Sequence, residues 1–78
     1  MKTIHSEPYQ ALLTLLIQAR QDAQLTQQQL ARQLERPQSY VSKYERGERR
    51  LDVIELLRIC REMEANPYDL LRKIEPWL

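Results

Sequence analysis

The chain holds one glycine, one cysteine and one histidine in 78 residues. Each scarcity removes a class of function. With one glycine there is no glycine-rich loop to cradle a phosphate. With one cysteine there is no internal disulfide, and a reducing compartment is expected. Cys60 sits among Leu56, Leu57 and Ile59, where a small buried hydrophobe is expected rather than a reactive thiol. The histidine, His5, lies in the terminus, away from Cys60, so the two make no catalytic dyad. No metal-ligand spacing appears, and the acidic residues are scattered among caps and solvent faces. The sequence therefore points away from an enzyme, a metal site, a cofactor or a small-molecule ligand. The apolar run from Ala11 to Ile17 is broken by Thr14 and is far too short to span a bilayer. The start has no signal-peptide layout. A cytoplasmic protein without a membrane partner is expected.

What is present favours helices. Leucine, glutamine and arginine dominate, and β-branched residues are sparse. A chain of this length makes one domain with a modest core, here read as residues 1–78 with no linker or repeat. The net charge is +1, but it is unevenly spread. Between Arg32 and Arg50, Arg32, Arg36, Lys43, Arg46, Arg49 and Arg50 face only Glu35, Glu45 and Glu48. From Leu51 onward acidic residues outnumber basic ones. A basic middle is the footprint expected of a polyanion binder.

In chain order, residues 1–5 read as a frayed terminus. Ser6 caps a first helix running to about Ala23, with Leu12, Leu13, Leu16 and Ile17 as its core stripe. Thr26 and Gln29 form a capping box, so a second helix starts at Gln27 and runs to about Leu34. Pro37 suits the first turn of a third helix, and Gly47 ends it in the left-handed conformation. Asp52 and Glu55 repeat the capping box for a fourth helix. Its core face is expected from Val53, Ile54, Leu57, Cys60 and Met63, widened by Leu56 and Ile59. Asn66 caps a fifth helix that Pro67 begins and Pro76 stops.

The third helix, about residues 37–46, divides cleanly at 100° per residue. Pro37, Tyr40, Val41 and Tyr44 fall on one side. Gln38, Ser39, Ser42, Lys43 and Arg46 fall on the other, which is small, hydrogen-bonding or cationic and carries no carboxylate. Such a face suits a partner rich in acceptors and negative charge.

Two short helices, a tight turn and a polar second helix make a helix-turn-helix. The string Leu25-Thr26-Gln27, with Leu30 and Ala31, followed by Gln38 to Leu51, resembles the lambda-repressor and Cro family, often called Xre-type. The likeness runs from about Leu12 to Leu71. It implies an all-α, compact five-helix DNA-binding domain. It also implies a sequence-specific regulator of transcription, working as a homodimer on near-palindromic double-stranded DNA. Small members of the family include phage repressors, restriction controllers and antitoxins.

The resemblance assigns roles by position. Gln38, Ser39 and Lys43 match base-reading positions, with Ser42 beside them. Gln27 matches a glutamine that bonds a phosphate and braces the first residue of the recognition helix. Arg46, Arg49 and Arg50 are placed to contact phosphates. Tyr40 either packs its ring or also reaches a phosphate through its hydroxyl. Arg20 and Glu45 match a salt bridge between the first helix and the recognition helix. Two positions depart from the family pattern. Glu35 stands where glycine is common, which implies positive φ there or an altered turn. Pro37 stands where a capping serine or threonine is common, so the third helix is expected to lack a side-chain cap.

The C-terminal Leu71, Ile74, Trp77 and Leu78 are apolar for a solvated tail, taken as residues 75–78. They read either as folded back onto the core or as a dimer surface. A protein-interaction module, such as an antitoxin or adaptor on the same scaffold, is the alternative function.

Overall fold

The computed structural model describes residues 6–78. The reading of residues 1–5 as frayed lies outside the described residues. Five α-helices follow in order: α1 Glu7–Asp22, α2 Gln27–Gln33, α3 Gln38–Glu45, α4 Val53–Met63 and α5 Pro67–Ile74. A 3-10 turn, Glu75–Trp77, follows α5. No strand occurs among the described residues.

The helix starts follow from their caps. The Ser6 hydroxyl accepts the Tyr9 N–H. Thr26 with Gln29, and Asp52 with Glu55, form complete capping boxes, each pairing two backbone donors that would otherwise be orphaned. Asn66 Oδ1 accepts the N–H groups of Tyr68 and Asp69. Pro37 differs from the expectation. It is the N-cap of α3, extended at φ −68° and ψ 157°, and not part of its first turn. As expected, α3 has no side-chain cap. The Pro37 carbonyl still accepts the Tyr40 N–H at 3.0 Å.

The helix ends share one device. After α1, α2, α3 and α4, a residue turns left-handed: Gln24 at φ 61°, Glu35 at 59°, Gly47 at 79° and Glu64 at 56°. At each end two backbone bonds close the Schellman pattern. At α2, Glu35 N–H donates to Arg32 and Arg36 N–H to Ala31. At α3, Gly47 N–H donates to Tyr44 and Glu48 N–H to Lys43. Glu35 is thus held at positive φ, with the same two-bond closure that Gly47 makes after α3.

The core gathers Leu13 and Leu16 of α1, Leu30 and Ala31 of α2, and Tyr40, Val41 and Tyr44 of α3. From α4 and α5 it takes Leu56, Ile59, Cys60, Met63 and Leu70. Tyr9 joins them, although the sequence stripe of α1 omitted it, while Leu12 is only partly buried. Pro37, expected on the packed side of α3, is exposed.

One expectation for α4 is overturned. Val53, Ile54 and Leu57 are 69, 56 and 37% exposed and do not supply its core face. Leu56, Ile59, Cys60 and Met63 do, at i, i+3, i+4 and i+7, which is a single stripe of a 3.6-residue helix. Seven apolar residues in eleven are more than one stripe can hold. The stripe that packs on the rest of the domain wins, and the other three residues are left facing out.

Candidate nucleic-acid interface

α2 and α3 are the most closely packed pair of helices, joined by the Glu35–Pro37 turn. α3 also contacts α1. Its inner side is tightly filled. Val41 and Tyr44 are fully enclosed, and the Tyr40 and Tyr44 rings meet edge to face at 5.7 Å. This seating leaves the opposite side open. Gln38, Ser39 and Lys43 are exposed and Ser42 is half-buried, so the structure places all four expected base-reading residues on one accessible face. The Ser42 hydroxyl donates to the Ser39 carbonyl at 3.3 Å, as helical serines commonly do.

The angle of α3 is held by a polar chain. Arg20 Nε donates to Glu45 Oε2 at 2.8 Å and Arg20 Nη2 to Glu45 Oε1 at 3.2 Å. Arg20 Nη1 donates to the Leu25 carbonyl at 2.8 Å, so one guanidinium ties α1 both to α3 and to the turn before α2. The side chains of Arg20 and Glu45 are only 12 and 5% exposed. Removing one partner of such a buried pair typically costs about 3–5 kcal/mol, because the other charge is left uncompensated. Gln27 extends the chain. Its Nε2 donates to Glu45 Oε1 at 2.8 Å, and its Oε1 accepts from Gln38 Nε2 at 3.5 Å. Three helices and the first outward residue of α3 are thereby linked. Because the Gln27 amide hydrogens point at Glu45, its oxygen faces Gln38 and sets which way the Gln38 amide is turned.

Arg46 is the C-cap of α3, and Arg49 and Arg50 follow in the segment before α4. Arg46 is held in a two-point fork by Glu48, with Nε–Oε2 at 3.0 Å and Nη2–Oε1 at 3.1 Å. Arg49 Nη2 donates to Glu55 Oε2 at 2.7 Å and Nη1 to the Arg50 carbonyl at 3.1 Å. The Arg36 and Arg49 guanidiniums lie 4.5 and 5.1 Å from the centre of the Tyr40 ring. Arg50 lies 4.3 Å over Tyr9, whose hydroxyl accepts the Leu51 N–H at 3.2 Å. Tyr40 is thus a buried platform for arginines. Burial, then the Glu55 carboxylate, raises its pKa above the usual phenol value.

From sequence, Tyr9 carries no role, Arg36 and Glu48 enter only as charges of the basic middle, and Glu55 enters only as the capping partner of Asp52. Arg36 carried a signal, since it lies four residues before Tyr40 in a basic stretch. The roles of Glu48 and Glu55 depend on the path of the turn after Gly47, which no local pattern reveals.

A helix-turn-helix family model matches residues 16–70, most of the chain. The chain belongs to the XRE-type helix-turn-helix family. An XRE-family like protein from Pseudomonas syringae pv. tomato str. DC3000 is similar in structure, with a TM-score of 0.88 and 56% identity. That match covers 96% of this chain and 92% of the other. The clp gene regulator ClgR of C. glutamicum shares the fold at a TM-score of 0.79 and 24% identity, over 95% of this chain and 96% of the other. No curated protein matches. In the XRE-type frame α2 and α3 are the two helices of the DNA-binding motif, and α3 is the helix with the open polar face. No helix among the described residues is long and apolar enough to cross a membrane.

Proposed function

We propose that this XRE-type domain is a sequence-specific, double-stranded DNA-binding regulator of transcription and that α3 is its recognition helix. One observation carries the reading: α3 presents Gln38, Ser39, Ser42 and Lys43 together on an open face while its other side is locked into the core. The Gln38 amide can bond adenine N6 and N7 bidentately, a serine hydroxyl suits donor or acceptor edges, and the Lys43 ammonium favours guanine O6 and N7. Arg46, Arg49 and Arg50 contact phosphates, which fixes the protein's position without specifying sequence. Gln27 acts from the N-terminus of α2, where free N–H groups favour a phosphate, and it braces Gln38. Tyr40 contributes to phosphate contact by carrying Arg36 and Arg49 on its ring.

The domain works as a homodimer on a near-palindromic operator, with two recognition helices about 34 Å apart. The C-terminal end supplies the pairing surface in this reading. Leu71 and Leu78 are 45 and 90% exposed there. Ile74 is half-buried, and Trp77, 54% exposed, lies beside Ala11, Thr14 and Leu15 of α1. Neither a cofactor nor an enzymatic step belongs to this function.

A protein-interaction module is the second reading, favoured by the exposed Val53, Ile54 and Leu57 on α4. Mobility shift across a salt series separates the two. The DNA reading predicts that affinity for duplex falls steeply and linearly on a log–log plot. It also predicts that Arg49→Ala weakens binding to all sequences nearly alike. Binding that ignores salt, or none at low salt, contradicts it.

A further inference from the structure

We propose that Glu48 is an internal competitor for the phosphate site of Arg46 and so sets how strongly the domain grips the DNA backbone. The proposal rests on the DNA-binding reading above and names a residue that reading leaves without a role.

The geometry is that of a substitution. A guanidinium recognises phosphate through two parallel N–H donors, and its side-on pair is Nε with Nη2. In Arg46 that side-on pair is fully engaged by the Glu48 carboxylate at 3.0 and 3.1 Å. A phosphate and the carboxylate cannot occupy that fork together. Arg46 is the C-cap of α3, so the occupied fork sits directly beside the face that carries Lys43.

Main chain, and not the carboxylate, builds this arrangement. Gly47 turns left-handed, and the Glu48 N–H donates back to the Lys43 carbonyl at 2.9 Å. Both features persist when the side chain is changed. Glu55, the carboxylate on Arg49, is different in kind. It accepts Arg49 Nη2 at 2.7 Å and the Asp52 N–H at 2.9 Å, and its side chain is only 14% exposed. Glu55 therefore belongs to the fold. Glu48 and Arg46 are both more than half exposed. Hydrogen bonding by Arg46 holds the Glu48 carboxyl below the usual carboxylate range while the pair is formed.

An exposed pair of this kind costs little to break. Its effect on DNA binding is nevertheless direct. Side-on phosphate contact through Nε and Nη2 of Arg46 must displace the carboxylate.

The test is Glu48→Gln in the full chain, with wild type, Arg46→Ala and the double variant alongside, titrated with random-sequence duplex from low to moderate salt. Glu48→Gln is expected to bind about three- to tenfold tighter near 0.1 M salt, with a log–log salt slope steeper by about one. Its thermal midpoint should match wild type. In the Arg46→Ala background the same change should bring no gain. Unchanged or weaker binding by Glu48→Gln overturns the proposal, as does a gain that survives Arg46→Ala, which would assign the effect to overall charge. If wild type itself fails to bind duplex with a salt-dependent affinity, the DNA-binding reading falls first and this inference falls with it.

Discussion

Tyr44 places a hydroxyl where the domain has no use for one. The side chain is fully buried, and its oxygen finds no hydrogen-bond partner among the described residues. The ring, by contrast, is used, packing edge to face on Tyr40. An unpaired buried polar group costs about 1–3 kcal/mol. Tyr44→Phe keeps the ring and removes that cost, so it is expected to stabilise the fold by about 1 kcal/mol. A thermal melt should move up by roughly 4–8 °C, as expected for a domain of this size. The same site makes stability sensitive to alkali. Burial first, then the neighbouring Glu45 carboxylate, pushes the Tyr44 pKa well above the usual phenol value. Burial also raises the pKa of Tyr40 and of the Cys60 thiol. In each case the folded chain holds its proton more tightly than the unfolded chain. The stability is therefore fully present below about pH 8, where the unfolded thiol and phenols are still protonated. It falls as pH rises past about 8.5 for Cys60 and about 10 for the tyrosines, because the unfolded state then binds fewer protons. Urea titrations from pH 8 to 11 should show that decline, and Tyr44→Phe should lessen it. A flat profile would mean that these groups ionise equally in both states.

Among the elements, the helix ends are the most regular feature. Four successive helices close with a left-handed residue, yet only Gly47 of the four is glycine. A side chain with a Cβ in that conformation costs about 1–2 kcal/mol, part of which glycine gives back through its freer unfolded chain. Glu35→Gly is therefore expected to stabilise the domain by about 1 kcal/mol in denaturant titration without weakening DNA binding. A loss of stability would show that the Glu35 side chain contributes more than its backbone costs. These ends also show what a sequence can and cannot reveal. The starts at Ser6, Thr26, Asp52 and Asn66 were readable because each cap acts on a residue two or three positions away. Three of the four ends lack the glycine that would mark them, and Glu35 was noticed only because the family usually has glycine there. α4 was misread on its exposed side for a different reason. Periodicity shows which residues share a face, but not which of two apolar faces meets the core.

At the scale of the molecule, a polar chain sets α3 against α1 and α2: it is largely buried at Arg20 and Glu45 and runs through Gln27 to the exposed Gln38. The fixed angle matters because a recognition helix reads bases only when its side chains enter the groove at a set depth. The outward face of α3 was legible in the sequence, since a stripe without carboxylates is unusual for a surface helix. The polar chain was legible only as the family pair of Arg20 and Glu45. Its extension through Gln27 and the carboxylates on Arg46 and Arg49 needed the folded path of the backbone. Charge follows the same division. Basic residues surround α3 and the turn after it, while the acidic residues of α4 and α5 lie later in the chain. The central claim is that this fixed, basic-flanked face reads duplex sequence as a symmetric pair. Selection of bound sites from random duplex DNA tests it most directly. Wild type should enrich a near-palindromic site with half-sites about one helical turn apart. Gln38→Ala should relax the preference at one base pair of each half-site, at a cost of about 1–3 kcal/mol. A pool that stays unenriched, or one that Gln38→Ala enriches for the same site unchanged, would contradict the account.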